Sequence, residues 1–386
     1  MKGARGPVLT DRQLNRATLA RQGLLEPLSG SMVEVVEAVG AIQAQQWSGV
    51  AAGLWARTAQ FDPGALYAAL TDGSLVTGTL LRRTRHLCSR REHPAYALVA
   101  DAMGANAWWR TGTSPDRTAL ALRRDLLAYT ARVPRTVEET TNFIEAWLDE
   151  RPGVLSQAEV TEQRTYGWRR YRSGSDFLRA PTDGSWGPRT PSGFLAVPVP
   201  PSLEAAPDVD GAMDAVVAAH LRAFGPAGAD DVAAWTGHKP APVRAAIDRL
   251  LPSLAVFADD RGRVLYDLPD APRPDGDVPA PVRVLPWFDG VLLSLAPSRR
   301  SRVLADEHRD AVYSRANLQV RPVFLVDGRV AGTWAVTVAS RESVLTLQPF
   351  ATLPKGTADA LVAEAEPLVR VLAPTAKGHA VTVARV

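Results

Sequence analysis

The stretch that decides the fold spans residues 225–268 and reads GPAGADDVAAWTGHKPAPVRAAIDRLLPSLAVFADDRGRVLYDL. Asp230 can cap a short helix that ends at the turn at 236–237, and Pro240 or Pro242 can open a second helix whose apolar residues recur at helical spacing. Two segments of alternating apolar residues then flank the turn sequence DDRG, which predicts a β-hairpin. Helix, turn, helix and hairpin is the order of a winged helix.

Two further parts of the chain repeat this order in weaker form. The residues SQAE at 156–159 make a capping box for a helix, and a hairpin is predicted around 191–199. Near the start of the chain, a helix cap at Thr10, a capping box over 31–34 and a strand over 76–88 give the same sequence of elements. The chain is therefore expected to contain three winged helices in tandem.

These patterns place the protein in the α+β class, with a β-rich region after the winged helices. The sequence VFLVDGRVAGTWAV at 323–336 is a strong hairpin signal, and five prolines mark 269–281 as a linker. The predicted domains are a first winged helix at 1–130, a second at 131–205, a third at 206–272 and a β-rich C-terminal region at 280–386.

The composition is that of a globular protein, with 46% of its 386 residues hydrophobic and 22% charged. No apolar run approaches the roughly 20 residues that cross a bilayer, and the start MKGARGPVLTDRQ lacks the apolar core of a signal peptide. We therefore expect a cytoplasmic, nucleoid-associated protein. The single cysteine, Cys88, excludes an internal disulfide and a thiolate metal cluster, and it is expected to be a buried thiol rather than a nucleophile.

The basic residues are almost all arginines, although the net charge is only +3. Of the 44 lysines and arginines, 4 are lysines and 40 are arginines. The planar fork of arginine suits phosphates and base edges better than the point charge of lysine. A GC-rich genome would produce the same bias, so only local clustering can indicate a function.

Arginine is concentrated in three segments, RRTRHLCSRR at 82–91, RTYGWRRYR at 164–172 and RRSR at 299–302. Phosphates can take the cationic groups, and bases can stack on the interleaved aromatic rings. Each segment alone could be a solvated face beside core aromatics, but the three together favour double-stranded DNA as the partner. With the third winged helix, the candidate DNA-binding residues are Arg82, Arg83, Arg85, His86, Arg169, Arg170, Arg172, Arg244, Arg261, Arg299, Arg300 and Arg302.

The residues AIQAQQWSG at 41–49 place glutamines where an amphipathic helix runs out. The apolar residues of that helix form one buried stripe through Ile42, and Gln43 continues the stripe. Gln45 would lie on the opposite side of a continuing helix. The two side chains can therefore share a target only if the helix ends or distorts, and Gly49 marks a place for an ending. The alternative is that Gln43 caps helix carbonyls and Gln45 is solvated.

The run AIQAQQWSGVAAGLWART, which begins at Ala41, resembles the signature of the winged-helix DNA glycosylases of the AlkZ and YcaQ type. The family's catalytic motif is a glutamine, a hydrophobic residue, and then glutamine or aspartate, which here is Gln43-Ala44-Gln45. One departure is Arg83, which stands where the family pattern Arg-Gly-Thr-x-His has glycine, although His86 is retained. Further segments resemble the family in the expected order: TLLRRTRHL, GPAGADDVAAWTG, LPWFDG and VDGRVAGTW.

The resemblance implies tandem winged helices that form one concave DNA-binding channel. It also implies a monofunctional glycosylase that removes N7-alkylated, cationic purines, including bulky antibiotic-type adducts, in base excision repair or self-resistance. In this family the glutamines at positions 43 and 45 would be catalytic. One chain with several winged helices could cover a duplex alone, so we expect a monomer.

The chemistry of glutamine can be tested against this expectation. An amide does not ionise near neutral pH, so Gln43 and Gln45 can orient water but cannot act as a general base. An enzyme that lacks general acid–base catalysis is slower by a factor on the order of 10²–10⁴. A guanine made cationic at N7 leaves without protonation, and two carbonyl dipoles could stabilise the developing positive charge on the sugar.

Other chemistries are less well supported by the sequence. Adjacent acids fall at predicted caps and turns, the six histidines lack metal-ligand spacing, and neither a GxGxxG motif nor a P-loop occurs. We therefore expect no metal and no cofactor. The competing predictions are a winged-helix transcriptional regulator and a non-catalytic protein that binds damaged DNA, neither of which needs paired glutamines.

Overall fold

The computed structural model describes residues 6–105, 118–187, 192–201, 207–314 and 318–385. The α-helices that it describes are α1 (Asp11–Arg21), α2 (Met32–Val39), α3 (Trp47–Trp55), α4 (Pro63–Thr71), α5 (His93–Ala100), α6 (Thr118–Tyr129), α7 (Val137–Asp149), α8 (Gln157–Thr165), α9 (Val209–Phe224), α10 (Ala229–Thr236), α11 (Pro240–Leu250), α12 (Gly290–Leu293), α13 (Arg309–Val312) and α14 (Thr357–Leu372).

The β-strands that it describes are β1 (Val8–Leu9), β2 (Ile42–Gln43), β3 (Leu75–Thr79), β4 (Arg85–Ser89), β5 (Phe177–Pro181), β6 (Ser192–Ala196), β7 (Ala255–Asp259), β8 (Val264–Asp267), β9 (Arg283–Leu285), β10 (Tyr313–Ser314), β11 (Gln319–Val320), β12 (Val323–Val326), β13 (Arg329–Thr337), β14 (Glu342–Pro349) and β15 (Gly378–Val383). This mixture confirms the α+β class. The chain divides into a first unit, Met1–Ala65 with Asp214–Val386, and a second unit, Leu66–Met213.

In the first unit, residues 229–267 contain the predicted helix, turn, helix and hairpin. Helix α10 ends at Gly237, whose φ of 84° is the left-handed conformation that glycine adopts without strain, and Pro240 opens α11. Strands β7 and β8 pair antiparallel, and β1 adds to β7 in parallel. The N-cap of α10 is Gly228 rather than the predicted Asp230, which lies in the first turn of the helix.

The C-terminal part of the first unit is a five-stranded sheet in the order β15-β14-β13-β12-β9. The predicted hairpin is confirmed, because β12 and β13 pair antiparallel across the turn at Asp327 and Gly328. Buried residues of α14, including Leu361 and Leu368, join a core cluster with Phe324 of the sheet. The region is therefore a mixed helix and sheet layer rather than β-structure alone.

The N-terminal helices of the first unit begin at the predicted caps, Thr10 and Ser31, and both caps are capping boxes. The hydroxyls of Thr10 and Ser31 accept hydrogen bonds from the backbone three residues on, and the side chains at those positions reach back to the caps. Helix α2 ends at Val39 because Gly40 follows with a φ of 79°. The helix therefore stops well before the predicted position near Gly49.

In the second unit, four strands form a sheet in the order β4-β3-β5-β6, with antiparallel pairing throughout. The prediction of one strand over 76–88 was wrong, since β3 and β4 form a hairpin around a tight turn at 80–84. Helices α6 and α7 pack on a buried cluster that includes Trp168 and Tyr171. Among the described residues, every helix is too short or too polar to span a bilayer.

Candidate active site

The two glutamines of the motif lie in the segment that follows α2. Gln43 ends the short strand β2, Ala44 is buried, and the backbone bends at Gln45. The amide nitrogen Nε2 of Gln43 donates to Oε1 of Gln45 at 2.5 Å. Gln43 is half-buried and Gln45 is exposed. The early end of the helix at Gly40 is what brings the two amides together.

A buried polar network supports this segment from within the first unit. The amide nitrogen of Gln22 donates to the carbonyl of Val39, the last residue of α2, and to the carbonyl of Ala223, both at 3.0 Å. The guanidinium of Arg57 donates to Gln22 Oε1 at 3.1 Å and to both carboxylate oxygens of Asp289 at 2.9 and 3.0 Å. The backbone that leads into the glutamine motif is therefore fixed by fully buried groups.

A cavity of about 20 Å³ lies between this network and Gln43, a volume near that of a single water-sized sphere. Its one acidic lining residue, Asp289, is 3% exposed and also caps α12 by accepting from the amide of Val291 at 2.9 Å. Because both its oxygens are engaged, Asp289 has a structural role at this turn and is poorly placed to act as a general base.

Sequence reasoning missed Gln22 and Arg57 as parts of this site. Arg57 stands within the quoted motif run, so its position was visible. Its partner Asp289 lies 232 residues further along the chain, and no local pattern links the two.

The second unit brings several predicted DNA-binding arginines to one cavity of about 940 Å³. The predicted residues among its lining are Arg83, Arg85, Arg169, Arg170 and Arg172. Arg179 of β5 lines the same cavity but was not predicted, because it stands alone in the sequence DFLRAP without a cluster around it.

His86 lies fully buried on β4, next to Arg82. Its Nδ1 is 2.9 Å from the carbonyl of Thr84, so Nδ1 carries the proton and Nε2 accepts from Arg82 Nη2 at 3.3 Å. Burial, together with the charge of Arg82, lowers the pKa of His86 to about 3. A neutral, buried imidazole has a structural role here, which argues against the predicted contact with DNA.

The arginines of the segment 299–302 hold other groups of the protein. Arg299 pairs with Asp231 at 2.9 Å and Arg302 pairs with Asp11 at 2.9 Å, and both arginines are buried. The guanidinium of Arg300 lies 4.6 Å from the ring centre of Tyr313. Arg299 and Arg302 are therefore held in internal ion pairs, whereas Arg300 lies against an aromatic ring.

The remaining predicted positions are on the surface of the first unit. Arg244 on α11 is exposed and lies 3.5 Å from Asp230, and Arg261 is exposed at the β7–β8 turn.

In the second unit, Cys88 is a buried thiol, as predicted, and burial raises its pKa. No group of three histidine, cysteine or acidic side chains that could hold a metal occurs within the described ranges.

Comparisons with known proteins agree with the resemblance of the motif run. The family described as DNA glycosylase AlkZ-like matches residues 36–371. The chain is 27% identical over 361 residues to the interstrand DNA cross-link repair glycosylase of Streptomyces sahachiroi, which covers 88% of this chain and 90% of that protein.

A solved structure shares the fold. The Streptomyces sahachiroi DNA glycosylase AlkZ superposes with a TM-score of 0.76 at 22% identity, over 98% of this chain and 100% of that one. The family match covers most of the sequence, including the glutamine motif and the LPWFDG segment. The chain therefore belongs to the AlkZ-like family of DNA glycosylases, hydrolases that cleave N-glycosyl bonds in DNA.

Proposed function

We propose that this enzyme hydrolyses the N-glycosidic bond of N7-alkylated, cationic purine nucleotides in double-stranded DNA, and that Gln43 and Gln45 hold the attacking water. The observation that carries the proposal is the contact between the two amides, whose donor and acceptor atoms are 2.5 Å apart. A water molecule that donates to one carbonyl oxygen and accepts from the other amide would be fixed in orientation without being ionised.

The neutral character of the site determines the substrate class. The water adds to C1′ of the sugar, the bond from C1′ to the purine N9 breaks, and the water gives up one proton to the solvent. The electron pair of the broken bond neutralises the positive charge of an N7-alkylated guanine, so no acid is needed to protonate the leaving group. An uncharged purine lacks this activation and should be a poor substrate.

Bulky adducts are a second part of the proposal. The relative from Streptomyces sahachiroi is named for repair of interstrand cross-links. A cross-link joined through the N7 atoms of two guanines presents the same cationic leaving group as a simple alkyl adduct. We therefore propose that N7-linked cross-links and bulky antibiotic-type adducts belong to the substrate class of this enzyme.

DNA binding is proposed for the predicted arginines that line the cavity of the second unit, together with Arg244 on α11 and Arg261 at the β7–β8 turn. We further propose that three winged helices, at 1–130, 131–205 and 206–272, form one concave channel with the region 280–386, and that a monomer acts. The elements found over 229–267 support this division at the third winged helix.

The test is release of free base from a duplex that contains N7-methylguanine at one position, measured under single-turnover conditions against the spontaneous rate. Wild type should release the base, and a Gln43→Ala/Gln45→Ala variant should fall at least about 100-fold, within the range expected for losing water positioning. A duplex with an uncharged purine at the same position should show no release above background.

Gln46→Ala is the matched control. Gln46 is the neighbouring glutamine, and its side chain makes no capping hydrogen bond to α3. It should keep the wild-type rate. Equal rates for wild type and the double variant would remove the glutamines from the mechanism, whereas a loss of rate in Gln46→Ala would indicate disturbance of the segment rather than of the water site.

A further inference from the structure

Seven arginines are buried among the residues that the structure describes, and six of them each form an ion pair with an aspartate: Arg16 with Asp327, Arg21 with Asp267, Arg57 with Asp289, Arg123 with Asp176, Arg299 with Asp231 and Arg302 with Asp11. Arg172 is 7% exposed and forms no ion pair with any residue that the structure describes.

Arg172 lines the 940 Å³ cavity of the second unit, where Arg85 and Arg179 join it. These two arginines are partly buried and also lack an ion pair within the described part of the chain. Burial and the neighbouring charges of Arg85 and Arg172 lower the pKa of Arg179 to about 10. Three cations therefore converge in a partly desolvated place, which is unfavourable unless an anion joins them.

The protein itself contributes little negative charge to this place. Six arginines line the cavity against one carboxylate, that of Glu162, which is exposed to solvent. Phe194 holds two of the guanidiniums in position, with Arg179 at 4.0 Å and Arg172 at 5.5 Å from the centre of its ring. Arg172 and Arg179 also donate to the backbone carbonyls of Gly167 and Ser192. These two guanidiniums are therefore held in position without a carboxylate partner among the described residues, which leaves their charge for an external ligand.

The cavity has the dimensions of a site for a small ligand rather than for an inorganic ion or a duplex. At its edge, the ring of Tyr166 is 67% exposed. An exposed aromatic ring beside a cationic pocket is the arrangement that binds single-stranded nucleic acid, since the base stacks while the phosphate is held by charge.

We propose that this cavity binds one unpaired nucleotide of a DNA strand, with its phosphate held by Arg85, Arg172 and Arg179 and its base stacked on Tyr166. The proposal rests on the proposed function only in taking DNA as the ligand. It assigns to the second unit a strand-holding site, separate from the glutamine motif, and it adds Arg179 and Tyr166 to the residues that contact DNA.

The test uses the full chain and a fluorescein-labelled octathymidylate, with binding followed by fluorescence anisotropy. Arg85→Ala and Tyr166→Ala should each weaken binding at least about five-fold, and Arg85→Ala should reduce the salt slope by about 0.7, the value for one phosphate of a single strand. Arg132→Ala removes an exposed arginine of the same unit that does not line the cavity, and it should leave the affinity unchanged.

Other outcomes would overturn the proposal. If inorganic phosphate raises the melting temperature but Arg85→Ala and Tyr166→Ala leave octathymidylate binding intact, the cavity is a free-anion site. If a blunt duplex is bound as tightly as the single strand, with equal losses in both variants, the nucleotide need not be unpaired. The Gln43→Ala/Gln45→Ala variant should keep its affinity for octathymidylate, so failure of the glutamine mechanism and failure of this site are separable.

Discussion

Gln43 and Gln45 are joined by a direct hydrogen bond of 2.5 Å, from the amide nitrogen of the first to the carbonyl oxygen of the second. Neither group titrates in the range where the protein is folded. We therefore predict that the single-turnover rate of base release by wild type is flat between about pH 6 and pH 8.5.

Gln45→Glu converts one of these amides into a group that titrates. A carboxylate can accept a proton from the attacking water, and its ordinary pKa is about 4.3. The variant should remain active at neutral pH and should lose rate as the pH falls toward that pKa, as measured by base release at a series of pH values. A flat profile for Gln45→Glu, or a titrating profile for wild type, would contradict a water held by neutral amides.

Removing one partner of the Arg57–Asp289 ion pair beneath the motif should lower the free energy of unfolding more than replacing both partners. Asp289→Ala leaves the buried guanidinium of Arg57 without its counter-ion and should lower the free energy of unfolding by about 3–5 kcal/mol. In Arg57→Met/Asp289→Ser, the charge is gone and serine can still cap α12, so the loss should be smaller. Urea unfolding of both variants measures this. A double variant less stable than the single one would show that Arg57 stabilises mainly through Gln22 and the carbonyl of Gly53, to which it donates at 3.0 Å.

Local signals in the sequence predicted much of the fold. The helix cap at Thr10, the capping box at Ser31 and the hairpin around Asp327 depend on contacts within a few residues, and all three are confirmed. The end of α2 before Gln43 was not predicted, because the apolar stripe of α2 continues in the sequence past the point where Gly40 ends the helix.

Composition could not separate structural arginines from those that face a cavity. The segments 164–172 and 299–302 are both arginine-rich, yet the second is buried against carboxylates such as Asp11, 291 residues from Arg302. An ion pair between residues so far apart leaves no periodic trace in the sequence. The same reason explains why Gln22 and Arg57 were missed.

Arg83 occupies a backbone conformation that suits glycine, with a φ of 57°. This is the position where the family pattern has glycine. Arg83→Gly should relieve the strain of a left-handed residue and should make the protein more stable than Arg83→Ala by about 1 kcal/mol, measured by urea unfolding. Both variants lose the same charge, so their DNA affinities should match each other. Equal stabilities would mean that this turn carries no strain from the side chain.

The pair Arg169 and Arg170 and the single residue Arg299 should respond in opposite ways to substitution. Arg169 and Arg170 are exposed at the cavity of the second unit, so changing both to alanine should weaken duplex binding and reduce the salt slope by up to about 1.8, for two phosphates. Stability should change little. Arg299→Ala, which leaves Asp231 buried without its partner, should destabilise the protein while the salt slope stays the same. The reverse pattern would place the DNA contact at the segment 299–302.

Three buried histidines make stability depend on pH. Burial is the main cause that lowers the pKa of His86 to about 3 and those of His93 and His220 to about 4, against 6.5 for an ordinary histidine. Between those values the unfolded chain binds protons that the folded chain does not, so stability rises with pH up to about 6.5 and is lost as the pH falls below it.

Each such histidine contributes a slope of about 1.4 kcal/mol per pH unit, and the three together about 4 kcal/mol per unit at most. Urea unfolding at a series of pH values from about 7 to 5 should show this loss. His93→Gln removes one titrating group and should reduce the slope by up to about 1.4 kcal/mol per pH unit. A free energy of unfolding that stays constant over this range would mean that the buried imidazoles become protonated in the folded protein, with water entering around them.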